Sequence, residues 1–558
     1  MPKSFAEAIA AVSAAGQPFE VVEVEVDGVA QRAFRHAPEN LKQLFDTARG
    51  VDATFIVYEG EEWTFNDVMV EVDALAHALV HHFDIRPGDR VGIAMRNLPE
   101  WVVAFAAILS IGAVSVSLNA WWVEDEIAYA LEDSKASLLI ADAERTDRAE
   151  SPCARAGVRL LGVRLPEGRR LSPGMERWRD VVERGATMPD VTIGADMDAT
   201  ILYTSGTTGF PKGAVSTHRA ICQSIMAFTS RAAIDDLRRE GPAAASSYPP
   251  CFILIVPLFH VTGCIPVMMS CFSWHFKLVM MQRWEPERAL QLIEQHRVTA
   301  FVGVPTQSWD LVECPRFADY DTSSLNSVGG GGAPAPPALV SRVERSFSRG
   351  RPNLGYGMTE TNAYGPGNNG DDYVTHPTST GQVPTIVMDV QIRDPDGRVL
   401  GTDENGEIFL KSPTMFRGYW GRPAETAEVL VDGWLRTGDV GRVDAQGYLY
   451  VEDRVKDMIL RAGENIYPAE VEAAIYEHPA VVEAAVFGLP DVRLGEVVAA
   501  AIMLRDGARL DATQLHDFLA TRLAAYMIPA RVAFTDQPLP RNAAGKFLKR
   551  EMPERYFA

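Results

Sequence analysis

Hydrophobic and polar positions divide the chain into alternating helix and strand patterns. Thr64 to His82 reads as a helix, with Thr64 as N-cap and Asp67 three residues later. Arg90 to Met95 predicts a strand, Glu100 to Ile111 a buried helix, and Ala113 to Leu118 an alternating strand. A helix at Glu124 to Asp133 and a strand at Ser137 to Ala141 follow. The same alternation returns later as a helix over Pro286 to His296, a strand over Val298 to Val302 and a helix over Pro336 to Ser346. Strands alternating with helices predict a largely parallel sheet with helices on its faces. From Val387 to Tyr450 the pattern changes to short strands and Gly-rich turns, a β-rich subdomain. Arg231 to Pro250 is polar and aperiodic and predicts a mobile surface loop.

A boundary is expected near Lys456. Beyond it, Pro468 to Tyr476 predicts a helix with proline at its start and His478-Pro479 past its end. Val481 to Phe487 and Val497 to Leu504 predict strands, and Leu515 to Tyr526 a helix. The expected fold is α/β: a large N-terminal domain (1–455) of mixed, largely parallel sheets flanked by helices plus the β-rich subdomain, then a small mobile α+β C-terminal domain (456–558).

Trp101 to Val123 carries no charge and is long enough to span a bilayer. Gly112 divides it into parts of different period, so a helix followed by a core strand is the expectation. Cys251 to Met281 is interrupted by Pro257, His260, Pro266, His275 and Lys277. No transmembrane segment is expected. A length of 558 residues exceeds one core and agrees with two domains. The formal charge of −21 argues against nucleic acid and against anionic lipid as partners, since both need a basic face. The six cysteines form no CxxC pair and stand at no zinc-finger spacing from histidine, so reduced thiols and a cytoplasmic location are expected. Met1 to Gly16 includes Glu7 and lacks the hydrophobic run of a signal peptide. Oligomeric state is unreadable, and a homo-oligomer stays open.

The densest chemistry lies at Tyr203-Thr-Ser-Gly-Thr-Thr-Gly-Phe-Pro-Lys-Gly-Ala214, between the strand-like Ala199 to Tyr203 and Ala214 to Thr217. Glycines let backbone N–H groups converge on an anion, and hydroxyls and one ammonium add donors. Thr204, Ser205, Gly206, Thr207, Thr208, Gly209 and Lys212 therefore form a candidate phosphate loop. It is not the common P-loop, because Pro211 precedes Lys212 and no hydroxyl follows it.

This string resembles the signature loop of the adenylate-forming enzymes: acyl-CoA synthetases, adenylation domains and luciferases. Further stretches match that family in the same order. Pro257-Leu-Phe-His260-Val-Thr-Gly263 resembles its gate beside the acyl pocket. Gly329 to Gly332 with Ala333 and Pro334 resembles a backbone edge pressed against adenine and the acyl group; four glycines in a row rarely serve a strand or helix. Gly331, Gly332 and Ala333 are the candidate contacts. Gly355-Tyr356-Gly357-Met358-Thr359-Glu360 resembles the family's YGxTE motif. There Tyr356 would cover a purine, Thr359 would donate to a phosphate and Glu360 would offer a hard oxygen to Mg²⁺. Asp439 and Arg454 match the ribose and nucleotide contacts, and Lys456 the hinge. Gly463 and Glu464 fall in the loop lining the pantetheine tunnel, and Lys546 in the loop of the catalytic lysine.

The resemblance implies ATP, Mg²⁺ and coenzyme A as the small molecules used. Lys546, Glu360, Thr204 and His260 become the candidate catalytic residues, and Glu360 and Thr204 the candidate Mg²⁺ ligands. A carboxylate would attack the α-phosphorus of ATP, and coenzyme A would then take the acyl group from the adenylate. A medium- or long-chain fatty acid is the leading expectation for the acid. A bulky aromatic or alicyclic acid, or acyl-AMP formation to load a carrier protein, is the alternative.

Overall fold

A computed structural model describes residues 2–204, 211–239, 248–332, 335–454, 457–461, 464–542 and 546–558. Two eight-stranded sheets make up the body of the N-terminal part. In the first, Val114–Ser117, Arg90–Ala94, Leu138–Asp142, Arg159–Val163 and Met175–Arg177 run parallel. Asp198–Thr204 joins them parallel to Val114–Ser117 and turns back antiparallel into Lys212–Thr217. In the second sheet Thr54–Tyr58, Lys277–Met280, Cys251–Leu254, Ala300–Gly303, Ser327–Gly331 and Arg351–Gly355 are all parallel. Antiparallel strands Glu61–Thr64 and Gly367–Asn369 close its edges.

These strands read as short, nearly continuous apolar runs because helices cover both faces. Leu138–Asp142 is buried at every position. Helix Phe65–His81 starts on the Thr64 cap: the Asp67 amide donates to the Thr64 hydroxyl at 2.9 Å, and the Thr64 amide donates to the Asp67 carboxylate at 3.0 Å. Helix Pro99–Ser110 is buried at every residue, which is why this stretch carries no charge apart from Glu100. Glu100 is neutralised by Arg164 at 2.7 Å. Both helices and both sheets share one apolar core, with Ile93 and Ile140 from the first sheet and Ile253 and Val279 from the second. Among the described residues no helix is long and apolar enough to cross a membrane.

The β-rich stretch forms a third sheet of Gly381–Gln382, Tyr448–Arg454, Trp434–Val443, Gly406–Lys411, Asp389–Arg393 and Leu430–Val431. It is not β throughout: Pro423–Val429 is a helix, and Gly418–Tyr419 leaves to pair with Lys212–Thr217 of the first sheet. The C-terminal part builds its own five-stranded sheet around Val481–Asp491 and Gly495–Leu504. Its apolar clusters, centred on Val486, Ile502 and Leu519 and on Phe487, Leu539 and Met552, contain no residue before Ile459.

Three expectations need correction. Arg231 to Pro250 does not begin as a loop, because helix His218–Arg238 runs through Arg231 and buries Ile234; residues 240–247 lie outside the described residues. The helix expected at Leu515 to Tyr526 is Ala512–Leu519. It starts on a reciprocal Asp511–Gln514 cap, and the amides of Arg522 and Leu523 both return to the Leu519 carbonyl in a closing turn. The glycine run does serve a strand, Ser327–Gly331. A Cβ on Gly330 would strike the Gly303 backbone and one on Gly329 the Asn353 backbone, so the close approach of neighbouring chains demands glycine.

Candidate active site

The phosphate-loop candidates hang between two paired strands. Thr204 and Lys212 lie directly opposite each other, and the Thr204 hydroxyl donates to the Lys212 carbonyl at 3.4 Å. Ser205, Gly206, Thr207, Thr208 and Gly209 lie outside the described residues. The Lys212 ammonium is ion-paired to Glu425 and sits 5.2 Å from the centre of the Tyr419 ring. Strand pairing explains both contacts. Ala214 is opposite Tyr419, and the helix carrying Glu425 starts at Pro423 just after it. The Tyr419 hydroxyl donates to Glu360 Oε1 at 2.8 Å. Lys212 holds the Glu425 carboxyl below the usual range. Thus one short excursion of the chain fixes the lysine of the loop and the glutamate of the YGMTE segment. Sequence reading missed Tyr419 and Glu425 because their signal is strand pairing between distant segments; the Pro-Ala-Glu helix start was the visible hint.

Glu360 is steadied through its backbone as well, since its carbonyl accepts from Phe416 N–H at 2.8 Å. Two residues on, buried Asn362 donates to the Thr414 carbonyl at 2.8 Å. Gly331 and Gly355 are register partners at the ends of neighbouring strands, so the glycine run and the YGMTE segment emerge side by side.

Asp439 is 5% exposed. It faces Arg454 across paired strands, with Nε to Oδ1 at 3.4 Å, and accepts from the Tyr356 hydroxyl at 2.6 Å. Burial raises the Asp439 carboxyl while Arg454 and the Tyr356 bond lower it, and burial wins. The Tyr356 ring packs on the apolar cluster of Ile392, Ile408 and Leu410. Tyr356 and Asp439 stand just behind the cavity wall, bonded to each other, while Arg454, Thr437 and Gly438 line it.

Lys546 comes from the C-terminal part. Its amide donates to Asn542 Oδ1 at 3.0 Å, its carbonyl accepts from the Asn542 amide at 2.8 Å, and it lines the cleft. Burial, then the Arg454 guanidinium, push its ammonium down to about 8, against upward pulls from Asp439 and Glu360. His260 also lines the cavity, and burial pushes its imidazole down to about 4. The Thr262 amide donates to its Nδ1 at 3.3 Å, so His260 is neutral with Nδ1 as acceptor.

The cavity encloses about 2420 Å³, well above the ~300–1,000 Å³ of a site for one drug-sized ligand. Thr204, Lys212, His260 and Lys546 line it, as do Gly331, Gly332, Gly355, Gly357, Met358, Thr359 and Glu360. Ala333, Lys456 and Gly463 lie outside the described residues; Glu464 begins a strand opposite Arg461. The assembled groups are anion-binding donors and cations at one side, a carboxylate beside a buried tyrosine, and an apolar recess. Such a set can align a polyphosphate with a second anion and neutralise both. Among the described residues no three His, Cys, Asp or Glu side chains cluster as a metal cage. Glu360 Oε1 is taken by Tyr419, and its second oxygen remains a hard donor of the kind that shares Mg²⁺ with substrate phosphates.

Residues 45–420 match the model of the AMP-binding enzyme family, and residues 470–546 match the AMP-binding enzyme C-terminal domain. A feruloyl-CoA synthase from Amycolatopsis sp is 38% identical over 514 residues, covering 90% of this chain and 96% of that protein. A long-chain-fatty-acid–CoA ligase of Bacillus subtilis is 32% identical, covering 91% and 92%. Among solved structures, ATP-bound MatB from Rhodopseudomonas palustris superposes with a TM-score of 0.81 at 29% identity, covering 93% of this chain and 99% of that one.

Proposed function

From the premise that this chain belongs to the AMP-binding enzyme family and is an AMP-forming acyl-CoA synthetase, we propose that its acid is aromatic or otherwise ring-bearing. This reverses the order expected from sequence, where a medium- or long-chain fatty acid led. The observation that carries it is the make-up of the recess. Phe228, Phe252, Phe276 and the 43%-exposed Trp274 are all in the lining of the cavity, with Phe252 and Phe276 stacked at 6.1 Å and 11°. Flat walls of this kind hold a planar ring by stacking and edge contacts. The 38% identity to a feruloyl-CoA synthase supports the same reading. The Bacillus subtilis relative keeps the fatty acid as the second reading.

The residues divide the chemistry between them. Lys546 bridges the incoming carboxylate and the α-phosphate, lowering the repulsion between two anions as they meet. Thr204 and Lys212 hold the outer phosphates. Asp439 and Arg454 anchor the ribose side, after Asp439 exchanges its Tyr356 and Arg454 contacts for sugar hydroxyls. Neutral His260 shapes the entrance to the recess. Glu360 and Thr204 would hold Mg²⁺, which supplies charge neutralisation on the phosphates. Residues 1–455 and 456–558 act as two bodies: the small one delivers Lys546 for adenylation and withdraws it so that the thiol of coenzyme A reaches the adenylate.

The test is pyrophosphate release against a panel of acids, with and without coenzyme A. The expected result is highest kcat/KM with planar ring-bearing acids and CoA-dependent AMP release. Equal or better turnover of C12–C18 fatty acids would overturn the acid assignment, and absence of pyrophosphate with every acid would overturn the whole reading.

A further inference from the structure

Beside these aromatic residues the cavity lining also carries charged side chains, Arg231 and, one helical turn on, Asp235 among them. Arg231 lies on helix His218–Arg238, and its side chain lines the cavity beside the aromatic walls. Its guanidinium carbon stands 4.9 Å from the centre of the Phe228 ring and 5.2 Å from that of Tyr364. One Nη2–H donates to the Gly365 carbonyl. Among the described residues no carboxylate comes within 4.0 Å of it. Asp235, one helical turn on, is instead approached by the Asn369 amide at 3.5 Å.

A guanidinium has five N–H donors, and most of these remain unused here. None of the Arg231 nitrogens is both buried and unpartnered, so the spare donors face the open cavity, where a ligand oxygen can reach them. The guanidinium packs directly over Gly367, where a Cβ would stand 2.9 Å from Nη1. Gly367 pairs with Gly355, which pairs with Gly331, so Arg231 lies against the strand ends that floor the cavity. The strongest charge effects on Lys546 come from Arg454, Asp439 and Glu360, and those on Arg231 from Tyr364 and Asp235. The two cations therefore occupy different neighbourhoods of one cavity.

We propose that Arg231 reads an oxygen acceptor, a hydroxyl or carboxylate, carried by the acid substrate at the end remote from its reacting carboxylate. The structural alternative is an arginine that only braces Gly365 between two rings; that role needs neither a place on the cavity wall nor unused donors. The proposal rests on the acyl-CoA ligase reading and narrows it from ring-bearing acids to ring-bearing acids with a distal acceptor.

The test uses the full chain and pairs of phenylpropenoic acids that differ only in a para-hydroxyl or para-carboxylate, with pyrophosphate release as the readout. A hydrogen bond to a charged donor predicts a kcat/KM advantage of roughly 10- to 100-fold for the acceptor-bearing member, mostly through KM. In Arg231→Met that ratio should fall towards one; in Arg231→Lys, which keeps a charge but loses the fork, it should be intermediate. Equal turnover of both pair members by the unmodified enzyme would overturn the proposal. So would an Arg231→Met enzyme that loses the same factor on both, because a brace affects the two acids alike. If Arg231→Met does not fold, the ratios of the unmodified enzyme and Arg231→Lys decide. Pyrophosphate release with no acid at all would instead sink the ligase reading, a result separable from a failed ratio.

Discussion

Removing Lys546 gives the sharpest test of how this cavity works. Burial and the Arg454 guanidinium bring its ammonium from the ordinary 10.5 to about 8. Holding the charge there costs about 3 kcal/mol, at about 1.4 kcal/mol per tenfold. The sign follows directly. The group is charged below pH 8 and loses its proton as pH rises through 8, whereas an anion beside it restores the ordinary value. ATP binding must therefore take up a proton, and most of it at alkaline pH. With a value of about 8 the lysine is mostly protonated at pH 7 and mostly neutral at pH 8.5, so the number of protons taken up per ATP rises across this range. Isothermal titration in buffers of different ionisation enthalpy reads this number, with Lys546→Met as the blank that lacks it. The same variant should lose about 10²- to 10³-fold in the adenylation half-reaction, the usual effect of removing one group that stabilises transition-state charge. It should keep most thioester formation from supplied acyl-AMP. Proton uptake at pH 8.5 that Lys546→Met retains in full would refute the assignment of that uptake to the lysine. A variant equally impaired in both half-reactions would refute its confinement to the first.

On the proposed phosphate role of Lys212, Glu425 competes for that ammonium, so Glu425→Gln should lower KM for ATP by about 2- to 5-fold, the worth of a partly exposed ion pair, in steady-state kinetics; a raised KM would mean that the pair positions the loop instead. Because His260 is neutral above about 4, the pH–rate curve for adenylation should show no inflection near 6.5 that His260→Gln removes; a lost inflection there would contradict the buried, neutral imidazole. Gly330→Ala drives a Cβ into the Gly303 backbone and should cost more than about 3 kcal/mol in urea unfolding, whereas Gly332→Ala meets nothing closer than Val304 at 3.9 Å and should cost about 1–2 kcal/mol for its positive φ. Equal costs would refute the close-approach argument.

The parts of this molecule legible in sequence are those decided locally. Helix Pro286–His296 and helix Pro468–Tyr476 begin and end where proline and the apolar period say they should. Thr64 and Asp67 announce their cap within four residues. The charge-free stretch after Glu100 could be split at Gly112 because period changes there. The glycine run misled because its reason is not local: Gly329 and Gly330 are required by the backbones of Gly303 and Asn353 on neighbouring strands, distances that no composition reveals. Arg231 was lost for a similar reason. A polar stretch looked like a loop, while Ile234 and the cavity wall show a helix presenting a cation inward. In the candidate site the motifs stood out as strings, but the residues that hold them, Tyr419 on Glu360 and Glu425 on Lys212, arrive through a two-residue strand pairing with a segment 200 positions away.

The proposed two-body cycle needs a C-terminal part that keeps its fold away from this cavity. Among the ion pairs of the described residues one joins the two parts of the chain, Arg505 to Glu313 at 3.5 Å, with both side chains more than 30% exposed. Such a pair is worth at most about 1 kcal/mol. The C-terminal part carries its own apolar clusters, so it keeps its fold wherever it docks. Burial and Arg454 disfavour the charged form of Lys546 in the docked pose. The Ala469 amide also donates to Asp453 across the same boundary, at 3.0 Å, so on the proposed cycle these few polar contacts are what the small part exchanges when it moves. In the proposed cycle the lysine loses much of its favourable surroundings when pyrophosphate leaves, which favours departure of the small part for the second step.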